Sequence, residues 1–127
     1  VFDGTDRGIR IKSTRGRGGV VEDIQVDNIV MRNIEQEAIV MDLAYSKMPV
    51  EPLSDRTPIF RNINISNLTA TDVLIPIRIN GLEESPISDV TISNVNIKNA
   101  KRTSTFNNCT NISLKDVFLI FKEITAP

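Results

Sequence analysis

The fold is decided by the stretch Asn62-Ile63-Asn64-Ile65-Ser66-Asn67-Leu68-Thr69-Ala70. Its apolar and polar side chains alternate as in a half-buried β-strand, because successive side chains of a strand point to opposite faces. Ile63 and Ile65 are two residues apart, but Leu68 comes three residues after Ile65, so an uninterrupted strand would turn Leu68 outward. A corner is therefore predicted at Asn67, a residue type that tolerates a left-handed backbone.

The same block occurs four times in the sequence. The copies begin at Asp23, Asn62, Asp89 and Asn111, and the corner residues are Asn28, Asn67, Asn94 and Asp116. Successive copies are offset by 39, 27 and 22 residues. Repeats of this size indicate a solenoid, in which each repeat packs only against its neighbours.

A third strand is predicted after each pair, at 38–42, 74–80 and, more weakly, 103–106. Three strands per turn without a helical pattern predict an all-β fold, a right-handed parallel β-helix of about three to four coils. The leucine-rich horseshoe is the alternative, but it needs a helical or 3₁₀ return with leucines of its own. Pro76 counts against the predicted register, since proline removes a ladder donor.

The stretch Gly8-Ile9-Arg10-Ile11-Lys12-Ser13 is predicted to be a strand of this third kind, one turn before 38–42. Ile9 and Ile11 would share the inner face, while Arg10 and Lys12 would stand about 6 to 7 Å apart on the outer face. Two neighbouring cations can bind a carboxylate or phosphate. The alternative is a solvated outer strand face with no ligand.

The stacking also predicts the neighbours of this pair on the outer face. One turn later come Val40 and Asp42, and one turn after that Arg78 and Asn80. Long insertions leave the coil at 45–58 and 81–86, at the end of the strands that carry the cations. Such loops are where a solenoid can form a binding groove.

Composition excludes several classes of function. The 127 residues suit one domain, and 15 Lys and Arg against 16 Asp and Glu create no field for nucleic acid or an anionic membrane. The sequence contains no histidine and only one cysteine, Cys109. An imidazole base, a histidine metal site and an internal disulfide are therefore excluded, and we predict no metal, no cofactor and a structural role for the thiol. We find neither a transmembrane run nor a signal peptide in the sequence.

The sequence resembles glycoside hydrolase family 28, the polygalacturonases and their exo-acting bacterial relatives. The resemblance rests on Arg10-Ile11-Lys12 within the string Gly4-Thr5-Asp6-Arg7-Gly8-Ile9-Arg10-Ile11-Lys12-Ser13-Thr14-Arg15-Gly16-Arg17-Gly18-Gly19-Val20-Val21-Glu22. Further support comes from Ala38-Ile39-Val40-Met41-Asp42-Leu43-Ala44-Tyr45, which is similar to the family's next strand. The resemblance implies a pectin-lyase-like solenoid, with residues 1–127 as the C-terminal part of a single catalytic β-helix domain.

The resemblance also implies a substrate and roles for three residues. Arg10 and Lys12 would bind the carboxylate of a galacturonate unit, and Tyr45 would contact the sugar. The family hydrolyses α-1,4-galacturonosyl bonds in pectin with inversion, using aspartates in Asn-x-Asp and Asp-Asp motifs followed by Gly-His-Gly. None of these motifs occurs in the sequence. We therefore expect substrate binding without a catalytic residue, and by family a secreted or periplasmic protein.

Two other functions remain open from the sequence. The chain could be a non-catalytic β-helical module that binds carbohydrate or acts as an adhesin, or it could be a scaffold without a ligand. Uncapped parallel turns expose unpaired backbone groups and apolar side chains, so end-to-end self-association is also expected.

Overall fold

The structure is a computed structural model that describes residues 1–14, 18–43 and 57–122. Its strands are β1 (Phe2–Asp3), β2 (Ile9–Lys12), β3 (Val20–Asp42), β4 (Ile59–Asn80), β5 (Ile87–Ala100), β6 (Thr105–Asn107) and β7 (Cys109–Phe121). The order is β1-β3-β4-β5-β7, with β2 paired to β3 and β6 paired to β4. Every pairing between these strands is parallel, and the described ranges contain no helix. The predicted right-handed parallel β-helix is confirmed.

The long strands bend around the solenoid, so each contributes to more than one of its faces. Face A consists of 24–27, 63–66, 90–93 and 112–115, and face B of 29–32, 68–71, 95–98 and 117–120. Face C consists of 9–12, 39–42, 77–80 and 105–107. β3 forms one turn, β4 forms the next, and β5 and β6 together form the third. β1 and β2 form a partial turn before β3, and β7 forms a partial turn after β6.

The predicted register of the four copies is confirmed. Ile24 pairs with Ile63, Ile63 with Val90, and Val90 with Ile112. The third strands also stack as predicted, except that the last one covers Thr105–Asn107 instead of 103–106. Pro76 is buried between the paired positions Ile75 and Ile77, so the strand tolerates it without a change of register.

The predicted corners adopt the left-handed backbone. Asn28, Asn67, Asn94 and Asp116 have φ of 56°, 56°, 52° and 53°. Two further columns of corners, which the sequence analysis missed, lie five residues to either side and also have positive φ: Asp23, Asn62, Asp89 and Asn111, and Asn33, Asp72 and Asn99. The recurrence of Asn or Asp every five residues could have revealed these two columns of corners.

The corner side chains form a hydrogen-bonded ladder along the solenoid. Asn67 Nδ2 donates to Asp27 Oδ1 at 2.7 Å, and Asn67 Oδ1 accepts from Asn94 Nδ2 at 2.6 Å. In the next corner column Asn99 Nδ2 donates to Asp72 Oδ1 at 3.2 Å. The Asn67 side chain therefore makes hydrogen bonds to the turn before it and to the turn after it, which an aliphatic side chain cannot do.

The core is the inside of the coil. Ile63, Ile65 and Leu68 are at most 1% exposed, and so are Val90 and Ile92, which stack on the first two. Stacked aliphatic side chains of this kind contribute most of the stabilisation, at about 25 cal/mol per Å² of apolar surface buried.

The side chains of the last turns are less covered. Leu114 is 46% exposed although it pairs with the fully buried Ile92, and Phe106 is 40% exposed although it pairs with the fully buried Ile79.

Cys109 is half-buried, and burial raises the pKa of its thiol, which favours the neutral form.

Candidate substrate-binding face

The strand β2 holds its two cations on the outside of face C. Ile9 is 9% exposed and Ile11 is half-buried, and these two side chains fix the inner side of the strand. Arg10 and Lys12 alternate with them and are both exposed. The backbone NH of Ser13 donates to Asp42 O at 2.9 Å, so the pairing continues past Lys12 into the next turn.

Gly8 permits the close approach of β2 to the second turn. Its NH donates to Glu37 O at 3.0 Å. A Cβ at this position would clash with Ala38 O and with the Sδ and Cε atoms of Met31. Because Ala38 O belongs to the backbone of a buried strand, it cannot move aside without disturbing the ladder. Only glycine therefore leaves the strand with Arg10 at its observed position.

The outward residues of face C form two columns, as predicted. In the first column Arg10 pairs with Val40, Val40 with Arg78, and Arg78 with Thr105. In the second column the partners in order are Lys12, Asp42, Asn80 and Asn107. The described residues of these columns carry three cations and one carboxylate, so the face has a net charge of about +2.

Asp42 is the only acidic group among the described residues of the two columns, and it is 6% exposed. Its Oδ1 accepts a hydrogen bond from Asn80 Nδ2 at 3.1 Å. Its Oδ2 lies 3.9 Å from Arg78 Nη2. The Asn80 and Arg78 side chains thus fix the position of the Asp42 carboxylate. This carboxylate places a negative charge on the turn between the two turns that carry Arg10, Lys12 and Arg78.

A second ion pair lies where β2 begins, and the sequence analysis missed it. Arg7 Nε lies 3.4 Å from Glu37 Oε1, and the Glu37 side chain is only 3% exposed. Glu37 Oε2 is buried and makes no hydrogen bond within the described part of the chain. Ile9 pairs with Ile39, 30 residues later, and the same offset places Arg7 beside Glu37. The register of the strands could therefore have predicted this ion pair.

One predicted residue lies outside the described part of the chain. It is Tyr45, the predicted sugar contact. Among the residues that are described, no helix has the length and apolarity needed to span a membrane. The same ranges contain no cluster of three or more Asp, Glu, Cys or His side chains placed to hold a metal ion.

The chain matches a known protein family over most of its length. The sequence pattern of glycosyl hydrolases family 28 matches residues 2–117. The chain belongs to this family. Family 28 comprises glycosidases, and the relatives that match this chain include polygalacturonases of a plant, a fungus and a bacterium.

Individual relatives agree with this assignment. The chain is 32% identical over 94 residues to a probable polygalacturonase of Vitis vinifera, covering 73% of this chain and 19% of that protein. It is 32% identical over 117 residues to exopolygalacturonase rpg16 of Rhizopus delemar, covering 86% and 30% of the two chains. The crystal structure of a hyperthermoactive exopolygalacturonase from Thermotoga maritima superimposes with a TM-score of 0.74 at 28% identity, covering 90% and 26% of the two chains.

The chain spans less than a third of the length of these relatives. Membership in family 28 therefore establishes the fold of this chain and the enzyme class of its family, the glycosidases. The substrate and the roles of Arg10 and Lys12 have to be argued from the geometry of face C.

Proposed function

We propose that this chain provides the carboxylate-binding part of the substrate site in a polygalacturonase-like glycoside hydrolase. The observation that supports this most is the exposed Arg10 and Lys12 pair on an outward strand face of a family 28 β-helix. A guanidinium binds a carboxylate through two parallel hydrogen bonds, and an ammonium two residues away adds a further charge-assisted bond. Tyr45 is proposed to contact the sugar of the same unit.

Hydrolysis of α-1,4-galacturonosyl bonds with inversion needs one carboxylic acid and one carboxylate, separated widely enough to admit water. We assign neither role to residues 1–127, which contain no Asn-x-Asp, Asp-Asp or Gly-His-Gly motif. The chain is therefore proposed to be the C-terminal part of a longer catalytic β-helix, and to bind pectin without cleaving it. A secreted or periplasmic location is also proposed, because the proposed pectic substrate lies outside the cell.

The proposed function predicts that binding depends on the carboxylate of the polymer. The 127-residue chain should bind polygalacturonate and should bind fully methyl-esterified polygalacturonate at least 10-fold more weakly, because esterification removes the charge that Arg10 and Lys12 recognise. Isothermal titration calorimetry of the two polymers measures this. Equal affinity for both would contradict the proposal.

A reducing-end assay on the same samples separates the proposed function from its alternative. No release is expected from the 127-residue chain. A protein extended to the length of the relatives should release reducing ends if it is a hydrolase. Binding without release by the extended protein would favour a non-catalytic carbohydrate-binding or adhesin module.

We also propose that the 127-residue chain associates end to end. The core-facing Phe106, Leu114 and Phe121 are each at least 40% exposed at one end of the solenoid. Burial of such side chains against another turn is favourable by about 25 cal/mol per Å². Sedimentation velocity should show a weight-average mass that rises with protein concentration above the 14.1 kDa of the monomer. A constant monomer mass up to millimolar concentration would contradict the association.

A further inference from the structure

We propose that Arg78 binds a second carboxylate of the same polyuronate chain, two turns along the solenoid from the Arg10 and Lys12 pair. This inference rests on the proposed function, since it needs an anionic polymer on face C. It adds a binding residue for a second unit of the polymer.

The register places Arg78 in line with Arg10. Arg10 pairs with Val40, and Val40 pairs with Arg78, so the two arginines occupy the same outward column. Two strand spacings separate their backbones, about 9 to 10 Å. The Arg78 side chain is 40% exposed, so it is accessible to a ligand outside the solenoid.

The contact between Arg78 and Asp42 leaves most of the guanidinium for a ligand. The distance of 3.9 Å between Arg78 Nη2 and Asp42 Oδ2 is longer than a hydrogen bond. A guanidinium has five N–H donors in a fixed fork, and one long ion pair does not saturate them. The buried Asp42 therefore attracts Arg78 toward its own turn at a distance longer than a hydrogen bond.

The turn between the two cationic positions disfavours a carboxylate. Asp42 lies next to Lys12 in the second column, and Val40 next to Arg10 in the first. Both are largely buried, at 6% and 3% exposure. An anion directly over this turn would meet a negative charge and no donor from Val40. The pattern along face C is therefore cationic, acidic and cationic, which suits a chain whose carboxylates lie over alternate turns.

The fourth turn ends the described charge pattern. Arg78 pairs with Thr105, and Asn80 pairs with Asn107, both of them uncharged. Within the described residues of face C, the cations are thus confined to the first and third turns. A ligand with a single carboxylate can occupy only one of these positions, whereas an oligomer of sufficient length can occupy both.

The inference is tested by comparing a short with a long ligand. Isothermal titration calorimetry would measure the dissociation constants of galacturonate monomer and tetragalacturonate for the wild-type chain and for Arg78→Ala. We expect Arg78→Ala to weaken tetragalacturonate binding about 10-fold and to change monomer binding less than 2-fold. Arg78→Lys should lose less, because it keeps the charge but not the fork.

Arg32→Ala is the matched control. Arg32 is also an exposed arginine paired with an aspartate, with Nε 3.3 Å from Asp3 Oδ2, but it lies on face B. Its removal should leave both affinities within 2-fold of wild type. Thermal unfolding followed by circular dichroism would show that each variant is folded.

Each outcome has a distinct meaning. Unchanged tetragalacturonate affinity in Arg78→Ala overturns the inference while leaving the proposed function intact. Equal losses for monomer and tetramer also overturn it, because they would mean that Arg78 acts on the first site through Asp42. If Arg10→Ala with Lys12→Ala leaves tetragalacturonate affinity unchanged, the proposed function itself fails.

Discussion

Replacing both Arg10 and Lys12 by alanine is expected to lower the affinity of the chain for polygalacturonate at least 100-fold. Hydrogen bonds to charged groups contribute about 1.5–3 kcal/mol each, so the loss of two such partners amounts to about 3–6 kcal/mol. Since every 1.4 kcal/mol corresponds to a factor of ten, the expected weakening lies between about 100-fold and 10,000-fold. Isothermal titration calorimetry at constant ionic strength measures it.

The same double variant should remain folded. Both side chains are exposed, and their strand is fixed by Ile9, Ile11 and the backbone pairing with the second turn. Lys12 lies beside the buried Asp42, which keeps its hydrogen bond from Asn80 when the lysine is removed. The free energy of unfolding should therefore fall by no more than about 1 kcal/mol, because both substituted side chains are exposed.

A control removes the same two charges from another face. Arg32 and Lys98 occupy one outward column of face B and are both exposed. The variant Arg32→Ala with Lys98→Ala lowers the net charge by the same amount, so it measures the non-specific attraction between the chain and an anionic polymer. A similar loss of affinity in both double variants would mean that net charge, and not the geometry of face C, causes binding.

Much of the fold could be predicted from the spacing of apolar residues alone. The break between Ile65 and Leu68 predicted a corner, and three other copies of the block fixed the register of the strands. Stacking then predicted which side chains come after Arg10 on face C, because parallel strands in register align equivalent positions. The order Arg10, Val40 and Arg78 is observed as predicted.

The same pattern also contained the corners that were missed. Met31 and Ile34 are both buried and lie three residues apart around Asn33, so the apolar alternation breaks there as it does at Asn28.

Other features could not be obtained from that pattern. The shift of register between Ile34 and Glu37 adds a residue to the second turn, and it also lies outside the repeating block. The pairing of Arg78 with Asp42 depends on side-chain rotamers, which a strand register does not determine.

The corner ladder leads to the second large effect, a loss of stability in Asn67→Ala. Asn67 has φ of 56°, and an alanine in this left-handed region costs about 1–2 kcal/mol. The substitution also removes the hydrogen bonds to Asp27 and from Asn94, which contribute about 0.5 kcal/mol each after exchange with water because both are exposed. The free energy of unfolding should fall by about 2–3 kcal/mol, measured by urea denaturation.

Two further substitutions at this position separate the backbone effect from the ladder. Asn67→Gly removes the same hydrogen bonds but adopts a positive φ without a steric penalty, so it should lose about 1 kcal/mol less than Asn67→Ala. Asn67→Asp still accepts from Asn94 but places a second carboxylate against Asp27. Like charges raise the folded-state pKa of such a pair, so this variant should be destabilised at pH 7 and should approach wild type as the pH falls toward about 4.

Thr69→Ala serves as the control, because Thr69 is an exposed, outward residue on face B, two positions beyond the corner. Its substitution should change the free energy of unfolding by no more than about 0.5 kcal/mol. Equal losses in Asn67→Ala and Asn67→Gly would show that the left-handed backbone adds nothing to the choice of residue. A loss in Asn67→Asp that is independent of pH would show that the carboxylates do not repel each other across the turns. If none of the three variants at position 67 lost stability, the corners would be held by the stacked core alone, and Asn67 would have no role in fixing the spacing between the turns.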